Sequence, residues 1–326
     1  MRQVIALVIL AMISPLIIAG GQLFVYDEAE LVRWQAKYED NLQWNYRNVI
    51  QAKLSHYEKT TLESVRLKTP LYPEHNVTPL PISVYSSNNE ISIPVHTVKF
   101  MDDLTILRAY QLNQNIPDAA ETEVWGYISA ISQITGKRFL LNIKSPLLQF
   151  GVPDNILSDR RVDQVSQNML KLSIVWMMAH QLGHIYYSYT SKYDSPDIIE
   201  MEADRFALEI LRRQGITPAG LSFLQSSMMA VNLGKYPGYD LREQTSLHKL
   251  SKKRLLTIAS YLLDNSSYFA KNANEQRILE YEISSLQKLS DKIEDSAILN
   301  KIELHKKRFL DEFGLKIPAA PVLNIN

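Results

Sequence analysis

Residues 176–188 read WMMAHQLGHIYYS and place two histidines, His180 and His184, four positions apart. In an α-helix, positions i and i+4 face the same way, so both imidazole rings can reach one metal ion. A catalytic zinc site uses such neutral imidazoles, adds a third protein ligand and keeps one position for water. The pair alone is weak evidence, because surface or core histidines that bind no metal show the same spacing more often. The metal hypothesis therefore depends on a third ligand elsewhere in the chain.

The following helical segment supplies acidic residues at the same spacing. The run DIIEMEADRFALEIL places Glu200 sixteen residues after His184 and Asp204 four residues further on. Glu200 would complete a site of two histidines and one carboxylate. Asp204 could accept the other ring N–H of a ligating histidine and so fix its tautomer. A solvated acidic helix face is the alternative, but both residues fall beside the apolar run at 206–208.

With these residues identified, the chain resembles the gluzincin zinc peptidases, specifically the membrane-associated family of the CAAX prenyl proteases and the HtpX-type quality-control proteases. Members carry HExxH and then an E-x-x-A-D motif, and the matching segments here are HQLGH and EMEADRFA. A third family feature is a histidine with an arginine six residues later, matched by His248 and Arg254. Lys249 stands where the family usually has proline. The resemblance covers roughly residues 85–263.

The resemblance implies roles for individual residues. One zinc ion per chain, Zn²⁺, would be bound by His180, His184 and Glu200. His248 would hydrogen-bond the developing oxyanion, with support from Arg254. These assignments imply a metalloendopeptidase that hydrolyses peptide bonds of protein substrates.

The residue after the first histidine is Gln181, where the family carries its catalytic glutamate. That glutamate takes a proton from a zinc-polarised water and delivers it to the leaving amine. An amide can hydrogen-bond the water but cannot accept its proton near neutral pH, and losing a positioned general base costs about 10²–10⁴-fold in rate. Gln181 is not a ligand, so zinc binding should persist. The chain is either a natural pseudo-peptidase or an active parent changed by one substitution.

Three functions therefore compete. The expected one is a zinc metallopeptidase of the cell envelope, impaired at position 181. The alternative is a zinc-binding pseudo-peptidase that acts as a non-catalytic protein- or peptide-binding module, and a third is a scaffold that relies on its terminal helices. Basic and acidic residues are equal in number, 35 each, so no net charge favours nucleic acid. Cysteine is absent, which excludes disulfides, cysteine–zinc sites and thiol catalysis.

The N-terminus has the layout of an export signal. Arg2 precedes an apolar run over residues 4–18, and the small residues 19–21 follow. An uncleaved membrane anchor over residues 4–25 and a buried core helix are the alternatives. A cleaved export signal or an uncleaved anchor would place the mature chain outside the cytoplasm, in the periplasm or tethered to the membrane.

The remaining pattern predicts an α+β fold, a mostly helical zincin-like core with a small β-sheet. Behind a signal or anchor at 1–21, residues 22–69 are expected to form an amphipathic helix. Residues 70–265 would form the metallopeptidase domain and residues 266–326 a C-terminal helical region. Within that region, two charged helices separated near 291–295 are expected.

Local patterns predict the elements around the metal residues. The segment ISVYSSNNEISIPVHTVKF, residues 82–100, predicts a β-hairpin with its turn at 87–90. Its edge strand near Ile91–Val95 would pair with the backbone of an extended substrate, as the resemblance implies. A long helix is expected to begin near Ser158 or Asp159. Another is expected from about Pro196, closed by Gly215.

Overall fold

The computed structural model describes residues 25–73, 82, 84–87, 89–116, 119–134, 143–190, 196–234 and 250–315. Helices make up most of these residues, and a three-stranded sheet lies near the N-terminal end. The architecture is therefore α+β with a predominance of helix, as the sequence predicts at that level.

The described helices and strands follow one another in a simple order. The longest helix lies near the middle of the chain and carries both metal-site histidines. The α-helices are α1 (Glu28–Asn45), α2 (His56–Leu62), α3 (Val95–Asn113), α4 (Ala119–Gln133), α5 (Pro146–Gln149), α6 (Arg160–Thr190), α7 (Pro196–Gln214), α8 (Leu221–Leu233), α9 (Lys252–Asp264), α10 (Ser266–Phe269), α11 (Ala273–Lys292) and α12 (Ser296–Glu312). The strands are β1 (Arg66–Lys68), β2 (Tyr85–Ser87) and β3 (Glu90–Ser92).

Helix α6 begins where its capping residue predicts. Asp159 Oδ1 accepts hydrogen bonds from the backbone N–H groups of Arg161 and Val162, at 2.9 and 3.4 Å. These bonds satisfy donors that have no partner inside the first turn of a helix. Helix α7 ends at Gly215, whose φ of +64° lies in the left-handed region that favours glycine. Both predictions are confirmed.

The expected single helix over residues 22–69 is interrupted in the structure. A π-helical turn (Tyr46–Ile50) and a 3-10 turn (Gln51–Lys53) follow α1. Ser55 then starts α2 with a reciprocal capping box, in which its side chain and that of Glu58 each bond the other's backbone N–H. The chain finally extends into β1, which pairs with β3. The apolar residues keep a helical period along this stretch. The capping box at Ser55 and the pairing of β1 with β3 nevertheless interrupt the helix.

The sheet has the strand order β1-β3-β2, with β1 parallel and β2 antiparallel to β3. The predicted hairpin is present, since Tyr85 pairs with Ser92. The predicted edge strand is wrong, however, because β3 is the central strand. The backbone N–H of Ile93 donates to Lys68 and that of Val95 donates to Pro70, at 3.0 and 2.8 Å. The two edges of the described sheet are β1 and β2.

The second half of the hairpin segment also differs from the prediction. Helix α3 begins at Val95, inside the segment over residues 82–100 that the pattern predicts as a hairpin. Nearly every side chain of its first three turns is buried. A helix buried on all sides carries no amphipathic period, so its β-branched residues resemble a strand.

One hydrophobic cluster includes residues from Val25 to Phe313. Helix α6 packs between α3 and α7, and α12 packs against α4. The predicted C-terminal pair of helices is confirmed as α11 and α12, and both contribute to this cluster. The domain boundaries at 69 and 265 stay a prediction.

Within the described residues, none of the helices is both long and apolar enough to cross a bilayer. The predicted export signal, residues 1–21, lies outside the described part of the chain. The same is true of the alternative anchor over 4–25, except for Val25.

Candidate metal centre

Helix α6 presents His180 and His184 to the same side, and their Nε2 atoms lie 3.0 Å apart. Helix α7 brings Glu200 against them. Glu200 Oε2 lies 3.5 Å from His180 Nε2, and Oε1 lies 3.5 Å from His184 Nε2. His180 and Glu200 are buried and His184 is partly buried. The three side chains therefore form a compact triangle, in which each histidine nitrogen faces a different oxygen of Glu200.

The size of this triangle fits one small cation. Tetrahedral zinc with bonds of about 2.0–2.1 Å separates neighbouring ligand atoms by about 3.3 Å. The Nε2–Nε2 separation of 3.0 Å and the two nitrogen–oxygen separations of 3.5 Å, each to a different oxygen of Glu200, lie on either side of that value. Two imidazoles and a carboxylate suit several divalent transition metals. This group could therefore hold a metal ion.

Asp204 orients the first histidine of the triangle. Its Oδ1 lies 3.0 Å from His180 Nδ1, one helical turn beyond Glu200 on α7. A proton on Nδ1 directed at this carboxylate leaves the Nε2 lone pair facing the centre of the triangle. Burial alone would lower the pKa of His180, but the Asp204 and Glu200 carboxylates raise it above its ordinary value.

Arg254 connects the two carboxylates from the start of α9. Its Nε and Nη2 donate to Asp204 Oδ2 and Oδ1, both at 2.8 Å, and its Nη1 lies 3.0 Å from Glu200 Oε2. Burial would raise the pKa of Asp204, but Arg254 and His180 lower it below its usual range. The result is an ordered series of Arg254, Asp204 and His180 that holds the imidazole in place.

Gly183 explains how α6 and α7 come close enough to share a site. A Cβ atom at this position would lie 2.9 Å from the Cα of Ala203 and 3.2 Å from its carbonyl oxygen. Real Cβ atoms rarely tolerate such distances, so only glycine permits this approach of the two backbones. Glycine normally lowers helix stability, and here it lets Glu200 reach both histidines.

Gln181, the residue after His180 in α6, contacts the sheet. Its Oε1 accepts a 2.8 Å hydrogen bond from Ser86 Oγ, in the edge strand β2. Gln181 is itself buried. Gln181 therefore lies directly beside β2, an edge strand of the described sheet. Sequence reasoning missed Ser86, because only the packing of the hairpin on α6 brings two residues 95 positions apart together.

An apolar pocket of ≈ 40 Å³ opens beside His180 and Gln181. Helices α6 and α8 form two of its walls, and the residues before β2 form another. Its apolar lining comprises Ile82, Val84, Trp176, Met177, Leu224, Met228 and Leu250. Its volume is far below that of a small-molecule site and suits a small apolar side chain.

The structure brings together most of the predicted site residues: His180, Gln181, His184, Glu200, Asp204 and Arg254. His248 and the neighbouring Lys249 lie outside the described residues. The predicted support of His248 by Arg254 therefore stays a prediction. The observed partners of Arg254 are the carboxylates of Asp204 and Glu200.

The fold and site define a class: a mostly helical α+β protein with a buried His180–His184–Glu200 group able to hold a metal ion. No family model, no curated protein and no solved structure matches the chain. Functional inference therefore starts from the geometry of this group.

Proposed function

We propose that the chain is a zinc metallopeptidase of the gluzincin type, related to the CAAX prenyl protease and HtpX-type family and impaired by Gln181. The observation that supports this most strongly is the compact ligand group with its buried Asp204–Arg254 support. Such outer contacts are characteristic of metal-binding histidines. A pair of histidines without a metal function would not require them.

The residues of the site would have separate roles. His180, His184 and Glu200 would hold the ion, which supplies a polarised, readily deprotonated water when bound. Asp204 and Arg254 keep the ligands oriented. Gln181 can hold a water by hydrogen bonding but cannot take its proton. Hydrolysis of peptide bonds is therefore expected to be slowed by about 10²–10⁴-fold relative to a glutamate enzyme.

The substrate would be an extended segment of a protein. The strand β2 (Tyr85–Ser87) lies at an edge of the described sheet, where such a segment could pair through its backbone. Ser86 lies against Gln181, so a strand added there would pass close to the metal group. The adjacent pocket would accept an apolar side chain. This edge replaces the stretch near Ile91–Val95 as the proposed docking strand.

Gln181→Glu tests the enzyme directly. The change exchanges an amide for a carboxylate of nearly equal volume, so packing on α6 should hardly respond. We expect peptide hydrolysis, measured on a casein-like substrate, to rise by about 10²-fold or more. The Gln181→Glu, His184→Ala double variant should lose this gain, because it lacks a metal ligand. Metal analysis of the wild type should give about one zinc per chain.

A non-catalytic binding module is the second candidate. The amide of Gln181 favours it, because an amide can hydrogen-bond a bound chain or water but cannot accept a proton. If Gln181→Glu folds, binds zinc and cleaves no substrate, the binding module replaces the enzyme. If purified wild type contains no metal, both candidates fail. The location outside the cytoplasm stays a prediction from residues 1–21.

A further inference from the structure

A second cavity of ≈ 330 Å³ lies between α3, α4, α6, α8 and α11. Its volume falls in the range of small-molecule sites, about 300–1,000 Å³. None of the proposed metal ligands lines it. Helix α8 separates the two sites: Phe223 and Ser226 line this cavity, whereas Leu224 and Gln225 line the metal pocket. The cavity is therefore a distinct candidate site.

Most of the cavity wall is apolar. Hydrophobic side chains from all five helices contribute to it, including Leu112, Trp125, Val165, Met169, Phe223 and Leu289. The mouth carries an exposed aromatic ring, Tyr281. An occupant must therefore be largely apolar, since burying an unpaired polar group against such a wall is costly.

The acidic groups in the cavity already have partners. Glu282 is buried, and its two oxygens accept backbone hydrogen bonds from Gly220 at 2.6 Å and Ser222 at 2.9 Å. Glu121 pairs with Arg108 at 3.0 Å and with Lys292 at 3.2 Å. Neither carboxylate is available to a cationic ligand.

The basic groups exceed these acidic ones. Arg108 and Lys292 share the single charge of Glu121, and Lys288 also lines the cavity. Lys288 forms no ion pair within the described part of the chain. Burial raises the pKa of Glu282, although the backbone bonds from Gly220 and Ser222 oppose that rise. The charge balance of the wall therefore favours an anion.

We propose that this cavity binds an apolar molecule with one carboxylate headgroup, of the medium-chain fatty-acid class. The hydrocarbon chain would lie against the apolar wall, and the carboxylate would lie near Lys288 and Lys292. Displacement of water from the apolar wall supplies the main driving force. The two ammonium groups select the sign of the headgroup.

Calorimetric titration of the full chain with decanoate tests the proposal, with decylamine and decanol as cationic and neutral analogues. We expect decanoate to bind at one site per chain and decylamine at least about 10-fold more weakly. Ser285→Phe places a ring in the cavity and should reduce decanoate affinity by at least about 10-fold. Lys288→Gln should weaken it about 2–5-fold, the scale of one partly screened charge. Lys301→Gln, at an exposed position of α12, should leave it unchanged.

Removal of metal with a chelator separates this proposal from the peptidase. Decanoate binding should persist, because the metal ligands lie beyond α8. No decanoate binding, or equal affinity for decanoate and decylamine, would overturn the proposal. Unchanged affinity in both Ser285→Phe and Lys288→Gln would overturn the assignment to this cavity. Because Lys288 is exposed, Lys288→Gln should fold normally. Its decanoate affinity therefore tests the assignment even if Ser285→Phe unfolds.

Discussion

At the scale of single residues, the charge balance of the metal group depends on Arg254. Its guanidinium is buried and contacts the carboxylates of both Asp204 and Glu200. Two carboxylates beside two imidazoles would repel each other in this interior without a cation. Arg254 therefore compensates the acidic charge of the ligand group in the folded chain, and its bidentate geometry fixes Asp204.

Arg254→Met should be strongly destabilising. It removes the cation and leaves Asp204 buried and uncompensated, a loss that typically costs about 3–5 kcal/mol. Urea unfolding of wild type and variant measures this. Arg308→Met is the matched control, since Arg308 pairs on the surface with Glu312 and should cost less than about 1 kcal/mol. Equal effects of the two variants would show that the buried network contributes no special stability.

The site was predictable to the extent that it lies on regular helices. Spacing along α6 and α7 identified His180, His184 and Glu200 as one group, because helical geometry determines which side chains share a face. The bidentate contact of Arg254 with Asp204 could not be predicted, because it depends on how α9 docks on α7. The contact of Ser86 with Gln181 could not be predicted either, since no local sequence pattern places a strand residue against Gln181.

At the scale of elements, the close contact of α6 with α7 is the feature that assembles the ligands. Gly183→Ala tests it. In an exposed helix this change stabilises by up to about 1 kcal/mol, but here the new methyl group would overlap the Ala203 backbone. We expect a loss of about 1–3 kcal/mol, typical of overpacking, in thermal or urea unfolding. Zinc content should fall as well, because Glu200 moves away from the histidines.

A stabilising Gly183→Ala variant would contradict the close approach. Loss of zinc without loss of stability would mean that the helices separate at little cost. Either outcome is read from the same two measurements, so the metal analysis accompanies each unfolding curve.

The ends of helices were predicted correctly where a capping residue or a glycine marks them. Prediction failed where burial on all sides removes the hydrophobic period. The start of α6 at Asp159 and the end of α7 at Gly215 follow from capping and backbone freedom. The start of α3 falls in the segment predicted as a hairpin, because its first turns are buried on nearly every side. The edge strand was misassigned because β1 joins from residues expected to be helical.

At the scale of the whole molecule, an ion pair connects α2, near the N-terminus, to α7, the helix that carries Glu200. Arg213 of α7 contacts Glu58 of α2 at 2.6 Å and Glu209 at 2.9 Å. The hydroxyl of Tyr261 in α9 donates to Glu209 Oε2 at 2.6 Å. This group, the α7 charge network, connects three separate elements. Its strength should therefore appear in the pH dependence of global stability.

Glu209→Gln should reveal that dependence. Hydrogen bonds from Arg212, Tyr261 and Arg213 lower the pKa of Glu209 from 4.5 to about 2, although burial opposes the shift. A depressed folded-state pKa means that the ionised form stabilises the protein fully above the unfolded value of 4.5, and that this contribution is lost as pH falls toward about 2. Because the side chain is partly exposed, we expect a contribution of about 1 kcal/mol.

Urea unfolding of wild type and Glu209→Gln between about pH 3 and pH 7 measures this contribution as a difference, in which other titrating groups cancel. The wild type should be more stable by about 1 kcal/mol near pH 6, and its advantage should shrink steadily below the unfolded pKa of 4.5. A difference that stays constant across the range would mean that Glu209 keeps an ordinary pKa. The contacts of Arg212, Arg213 and Tyr261 would then not act as a charged network in solution.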